Sequence, residues 1–118
     1  MEQQLSFDDY RPVRSARVIA AALHNEEKIE GWSADAVAWI RAYSALHRTF
    51  VSEDCTDEGY RAGILHPPEP RAWGFAYRYC AHLDRAWIVK SEAAGWSKKR
   101  ASPTILWLSQ HPNFSSQD

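Results

Sequence analysis

Apolar residues recur at helical spacing through most of the chain and give way to denser, β-prone runs only toward its end. From Ser15 onward, Val18, Ile19, Ala22, Leu23 and Ile29 fall near one face, which predicts an amphipathic helix. Ser15 is placed to cap it, and Gly31 to stop it. Ser33 is placed to cap a second helix, with Asp35 in a first turn whose dipole favours an anion. Within "SADAVAWIRAYSALHRTF", Val37, Ile40, Tyr43 or Ser44, and His47 form a stripe that Trp39, Leu46 and Phe50 widen. A helix apolar over so much of its circumference is predicted to be central. Thr49, Phe50 and Val51 suit a short extended piece. Ser52 is then an N-cap, Glu53 and Asp54 lie in the first turn, and a short helix runs to about Ala62 before Gly63 stops it.

The next stretch, "LHPPEP", holds three prolines in four residues. It forbids helix and gives a stiff turn. Pro70 suits the first position of the following helix, "PRAWGFAYRYCAHLDRA". Trp73, Ala76, Tyr77, Cys80 and Leu83 make its apolar stripe, with Arg71, Phe75, Arg78, Tyr79 and His82 on or near the other face. "WIVKS" and "PTILWLS" read as two strands joined by the loop "EAAGWSKKRAS", a β-hairpin with a long basic tip. "QHPNFSSQD" reads as a polar tail. The domain therefore spans 15–110, after an arm at 1–14 and before a tail at 111–118.

The chain has 118 residues, 45% of them hydrophobic, which fits one domain with a packed core. Its six tryptophans are core or interface material. Net charge is −1, but it is unevenly spread. Residues 1–70 carry 7 Lys and Arg against 12 Asp and Glu; residues 71–100 carry 7 against 2. Such asymmetry points to a face for a polyanion, with an ordinary dipolar surface as the plain alternative. "MEQQLSFDDY" lacks the pattern of a signal peptide, and no apolar run reaches transmembrane length. A cytoplasmic protein with reduced thiols is expected. Cys55 and Cys80 match neither a disulfide framework nor a zinc motif, and both read as small buried residues.

The order helix, helix, short strand, helix, Pro-rich turn, helix, hairpin is that of a winged helix-turn-helix, an α+β fold that is mostly helical. In such a fold the helix at about 70–85 fits a major groove, and the hairpin at about 87–109 reaches neighbouring phosphates. The candidate DNA-binding residues are Arg71, Phe75, Arg78, Tyr79 and His82 on the helix, and Trp96, Ser97, Lys98, Lys99 and Arg100 on the wing. Trp96 either packs back on the body or stacks on a sugar or wedges at a groove. Trp73, Trp87 and Trp107 are expected in the core, between hairpin and helix.

From "FVSED" through "PPEPRAWGFAYRYCAHLDRAWIV" to "SPTILWLS", residues 49–109, the chain resembles a group of small winged-helix proteins of phages and prophages. Their pattern is a "[ST]-[ED]-D" helix start, a proline-rich turn, a helix opening "RAWG" or "NAWG", and a hairpin with a basic "S-x-x-R" loop ending in "P-x-x-W". The resemblance implies a DNA-binding fold and no particular operator. The helix here is about two residues longer than in that group.

Other chemistries fit less well. Cys80 and His82, two apart on a helix, point in different directions and cannot share an ion, so neither metal nor cofactor is expected. Asp54, Asp57 and Glu58 share a helix face, as paired acids in an enzyme would, but the helix dipole accounts for them in and after the first turn. There is no Gly-rich phosphate loop, and an enzyme is not expected. Besides double-stranded DNA, two partners stay open: a second copy, through helix 15–30, and a host protein docked on the acidic N-terminal half. The last would make this a protein-interaction winged helix, such as a phage inhibitor of a host protein. The discriminating feature is whether the cations of 71–100 are free or already paired with acids.

Overall fold

A computed structural model describes residues 15–82 and 85–117. The arm at 1–14 and the stripe position Leu83 lie outside the described residues. Among those described, four α-helices and a three-stranded antiparallel sheet follow in the order α1 (Ala16–Lys28), α2 (Trp32–Ser44), β1 (Thr49–Val51), α3 (Ser52–Arg61), α4 (Ala72–Ala81), β2 (Ile88–Ser97) and β3 (Ser102–Ser109). The sheet order is β1–β3–β2, so the first strand pairs with the last.

Side chains from other elements do much of the capping that the sequence assigns to local serines. Gly31 ends the α1–α2 turn at φ +81°, a left-handed conformation that glycine adopts freely. The helix after it starts at Trp32 rather than after Ser33, which is buried. Its first amides are met by Glu26, whose carboxylate accepts the N–H groups of Gly31 and Ser33, both at 2.9 Å. Ser15 and Ser52 likewise make no side-chain cap. The end of α3 follows its sequence signal: Gly63, at φ +109°, donates to the Tyr60 carbonyl, and Ile64 donates to that of Gly59. This pairing is a Schellman motif.

The proline-rich turn has few donors of its own and is pinned by side chains from the first two helices. Buried Asn25 donates to the Glu69 carbonyl at 3.2 Å and accepts the Glu69 N–H at 3.0 Å. The Trp32 indole donates to the Leu65 carbonyl at 2.7 Å. Helix α1, to which the sequence assigns only a dimer interface, packs Val18, Ala21 and Ala22 into the core and contacts α4.

Helix α4 is the centre of that core. Ala72, Trp73, Phe75, Ala76, Tyr77, Tyr79 and Cys80 are all buried. This corrects the predicted polar face: Phe75 is 0% exposed and Tyr79 only 8%. The heptad spacing marks one buried stripe, but α1 and α2 both pack on α4 and bury a second. The helix also ends at Ala81, short of the predicted 85.

Three further expectations change. The hairpin loop is not residues 92–102: β2 runs on to Ser97, leaving only 98–101 as the tip. "EAAGW" has little strand propensity and is extended because it pairs with β3, Ala94 opposite Ile105 and Trp96 opposite Pro103. A register shift between Lys90 and Ala94 absorbs the extra residues as a bulge. Leu46, past the end of α2, is exposed rather than part of the central stripe. The polar tail contains a 3₁₀ helix, Pro112–Gln117, anchored where Asn113 donates to the Ala45 carbonyl at 3.0 Å.

Two outcomes are expected. A Cβ on Gly95 would lie 2.5 Å from Cγ1 of Val51, across the sheet. Gly95→Ala should therefore cost about 1–3 kcal/mol in urea unfolding, and Val51→Ala in the same chain should recover part of that loss. Burial pushes the Cys55 and Cys80 thiols up to about 12. With folded values raised from an ordinary 9.0, their contribution to stability is complete below that pH and declines as pH rises above it. Thiol titration at pH 8 should find both unreactive until the chain unfolds.

Candidate nucleic-acid interface

With two sides of α4 buried, what it shows to solvent is a single stripe at helical spacing: Arg71 and Arg78 exposed, Gly74 and Ala81 half-buried between and beyond them. Arg71 stands at the N-cap and His82 at the C-cap, half-buried. Of the five helix positions predicted to meet DNA, then, Arg71, Arg78 and His82 reach the surface, and Phe75 and Tyr79 do not. Tyr79 is covered by the Arg85 guanidinium, 3.6 Å from its ring centroid, and packs near Trp87.

The hairpin tip holds the second set. Trp96 is 57% exposed, and Lys98, Lys99 and Arg100 are exposed. Ser97, a predicted wing contact, is 2% exposed and internally committed: its hydroxyl donates to Glu53 at 3.2 Å and accepts the Arg100 N–H at 3.2 Å. The acids of α3 latch this tip. Glu53 also accepts the Lys98 N–H at 2.7 Å, and Asp57, one turn on, accepts from the Lys99 ammonium at 2.9 Å. The hydrogen bond that Lys99 donates to Asp57 raises the Lys99 pKa and so favours its charged form. Arg100 donates to the Thr104 hydroxyl at 3.3 Å. Among the described residues, no carboxylate forms an ion pair with the side chain of Arg71, Arg78, Lys90, Lys98 or Arg100.

Between α3, α4 and the hairpin lies a cleft of about 910 Å³. Arg78, Lys90, Lys99 and Arg100 line it together, so cations from α4 and from both the strand and the tip of the hairpin share one concavity. Its floor is made by Tyr77 and Trp107, near-parallel rings 6.1 Å apart between centroids, with Trp73 beside them. Sequence reasoning counted Lys90 only as charge, and read Glu53 and Asp57 only as dipole-favoured acids. The i, i+4 spacing of the two acids, matched to cations some 45 residues later, was the available signal.

Among the described residues, no three His, Cys, Asp or Glu side chains are grouped to hold a metal, and no helix is long and apolar enough to cross a membrane. Comparisons with protein-family models, with curated proteins and with solved structures return no match.

Glu53 makes two hydrogen bonds to the hairpin where Asp57 makes one exposed ion pair. Glu53→Ala should cost about 1–2 kcal/mol and speed exchange of the Lys98 amide hydrogen. Asp57→Asn should change stability by less than about 0.5 kcal/mol. Equal effects of the two substitutions in chemical denaturation would contradict this ranking.

Proposed function

We propose that the chain is a winged helix-turn-helix protein that binds duplex DNA in the cytoplasm, as a transcriptional regulator or an accessory factor of phage-type DNA metabolism. The element order, the β1–β3–β2 sheet and the pinned turn between α3 and α4 support the fold assignment. One observation carries the functional assignment: Arg78 of α4 and Lys90 and Arg100 of the hairpin line a single cleft and have no carboxylate partner among the described residues. Helix α4 would enter the major groove with Arg71, Arg78 and His82 nearest the bases. The hairpin would follow the backbone, where contacts fix position and carry little sequence information.

A second reading keeps one observation on its side. Lys99 is already paired with Asp57, as a wing built for protein contact would have it. A protein-interaction module, facing a host protein or a second copy, would use the acidic surface of α3.

Fluorescence anisotropy of a labelled random duplex, at three salt concentrations, tests the choice. Affinity should fall log-linearly with salt, and Lys98→Ala/Lys99→Ala/Arg100→Ala should flatten the slope by about two to three charges. Arg78→Ala should cost about 1–3 kcal/mol on a specific site. Asp57→Asn, which frees Lys99 and removes an acid, should tighten binding. Absence of binding at low salt would overturn the DNA reading and favour the protein-partner one.

A further inference from the structure

The cleft has more apolar surface than a phosphate backbone can use. Val89, Ile105 and Ala81 line it with the Tyr77–Trp107 floor, and Ile105 is 42% exposed there. Polar charge is confined to particular places. Glu53 and Asp57 are occupied by the hairpin tip. The lining carries Arg78, Lys90, Lys99 and Arg100 against these two acids, a net positive balance, and among the described residues neither acid pairs with the side chains of Arg78, Lys90 or Arg100. A duplex could meet these cations but presents only sugars, phosphates and base edges to the apolar floor.

A concavity of about 910 Å³ lies within the range of roughly 300–1,000 Å³ typical of small-molecule sites, which pair an apolar lining with a few oriented polar groups. We propose that the cleft between α3, α4 and the hairpin binds a small amphipathic anion, a flat apolar or aromatic body carrying one carboxylate or phosphate. The body lies against Val89, Ile105 and the floor. The anionic group meets Arg78 and Lys90, with Arg100 at the hairpin end. The fixed guanidinium of Arg78 suits a bidentate oxyanion. This site goes beyond the DNA reading and does not depend on it, since it can be filled in the absence of nucleic acid.

The test uses 1-naphthoate and its neutral counterpart 1-naphthalenemethanol, titrated into the full ¹⁵N-labelled chain. The indole N–H groups report location: that of Trp73 donates to Tyr60 and that of Trp107 to Ser52, both beside the cleft. Trp39 and Trp87 lie outside its lining and serve as controls. Naphthoate should move the Trp73 and Trp107 signals and leave those of Trp39 and Trp87 in place. The alcohol should bind about tenfold more weakly, because it brings no negative charge and only one oxygen to the two cations. Arg78→Ala/Lys90→Ala, two exposed positions, should erase that difference by weakening naphthoate far more than the alcohol. Ile105→Thr should weaken both ligands several-fold, by about the loss of one buried methylene or more. Three results would each overturn the proposal: no movement at millimolar naphthoate, equal affinity for acid and alcohol, or control signals that move as far as those beside the cleft. Binding of duplex DNA without naphthoate binding would remove this site and leave the DNA reading standing.

Discussion

The hydroxyl of Tyr77 is the point on which three elements turn. Burial makes its proton hard to remove and forces the phenol to find partners inside. It donates to the Ser52 carbonyl at 2.9 Å, and the Thr56 hydroxyl, 2.8 Å away, can then donate to it. Ser52 is itself the acceptor for the Trp107 indole at 2.8 Å. One residue of α4 thus fixes the start of α3, and that start fixes the middle of β3. The angle between the two helices and the height of the hairpin above them follow from this small polar knot. Without it, the cleft would have no defined floor.

The same logic of distant side chains serving local needs recurs around the turn. A proline-rich segment offers carbonyls but few donors. Asn25 and Trp32 answer it from α1 and α2, so the N-terminal helices hold the turn that sets α4 in place. Glu26 caps the helix after its own. These interactions tie α1 into the domain as a structural part rather than an appendage.

What the sequence makes legible follows from the range of the forces involved. The helices, the short strand, the hairpin and the glycine stop at Gly63 depend on local periodicity and backbone freedom, and all of them are readable; the pairing of β1 with β3 is long-range and is not. The caps are not, because Ser33 competes with a glutamate seven residues earlier that no local rule would choose. Phe75 and Tyr79 are misread for a related reason. Periodicity shows that a helix has a buried stripe, but not that two neighbours bury two. The hairpin tip is legible as a cluster of cations. Its attachment to Glu53 and Asp57 shows there only as an i, i+4 pair of acids, since the contact itself depends on where α3 ends up beneath it. "EAAGW" is read as a loop because its composition says so, and β3 overrules it.

A helix covered on two sides also has little room to vary. Along α4, substitutions at the buried positions disturb packing against α1 or α2, and even half-exposed Gly74 is hemmed in, with Val18 and Arg78 each 3.2 Å from where a Cβ would stand. Arg71 and Arg78 are its exposed positions and can change with least disturbance to the fold. Whatever this helix recognises, a lineage of such proteins would have to write its preferences largely in those two places, and diversify the rest through the hairpin.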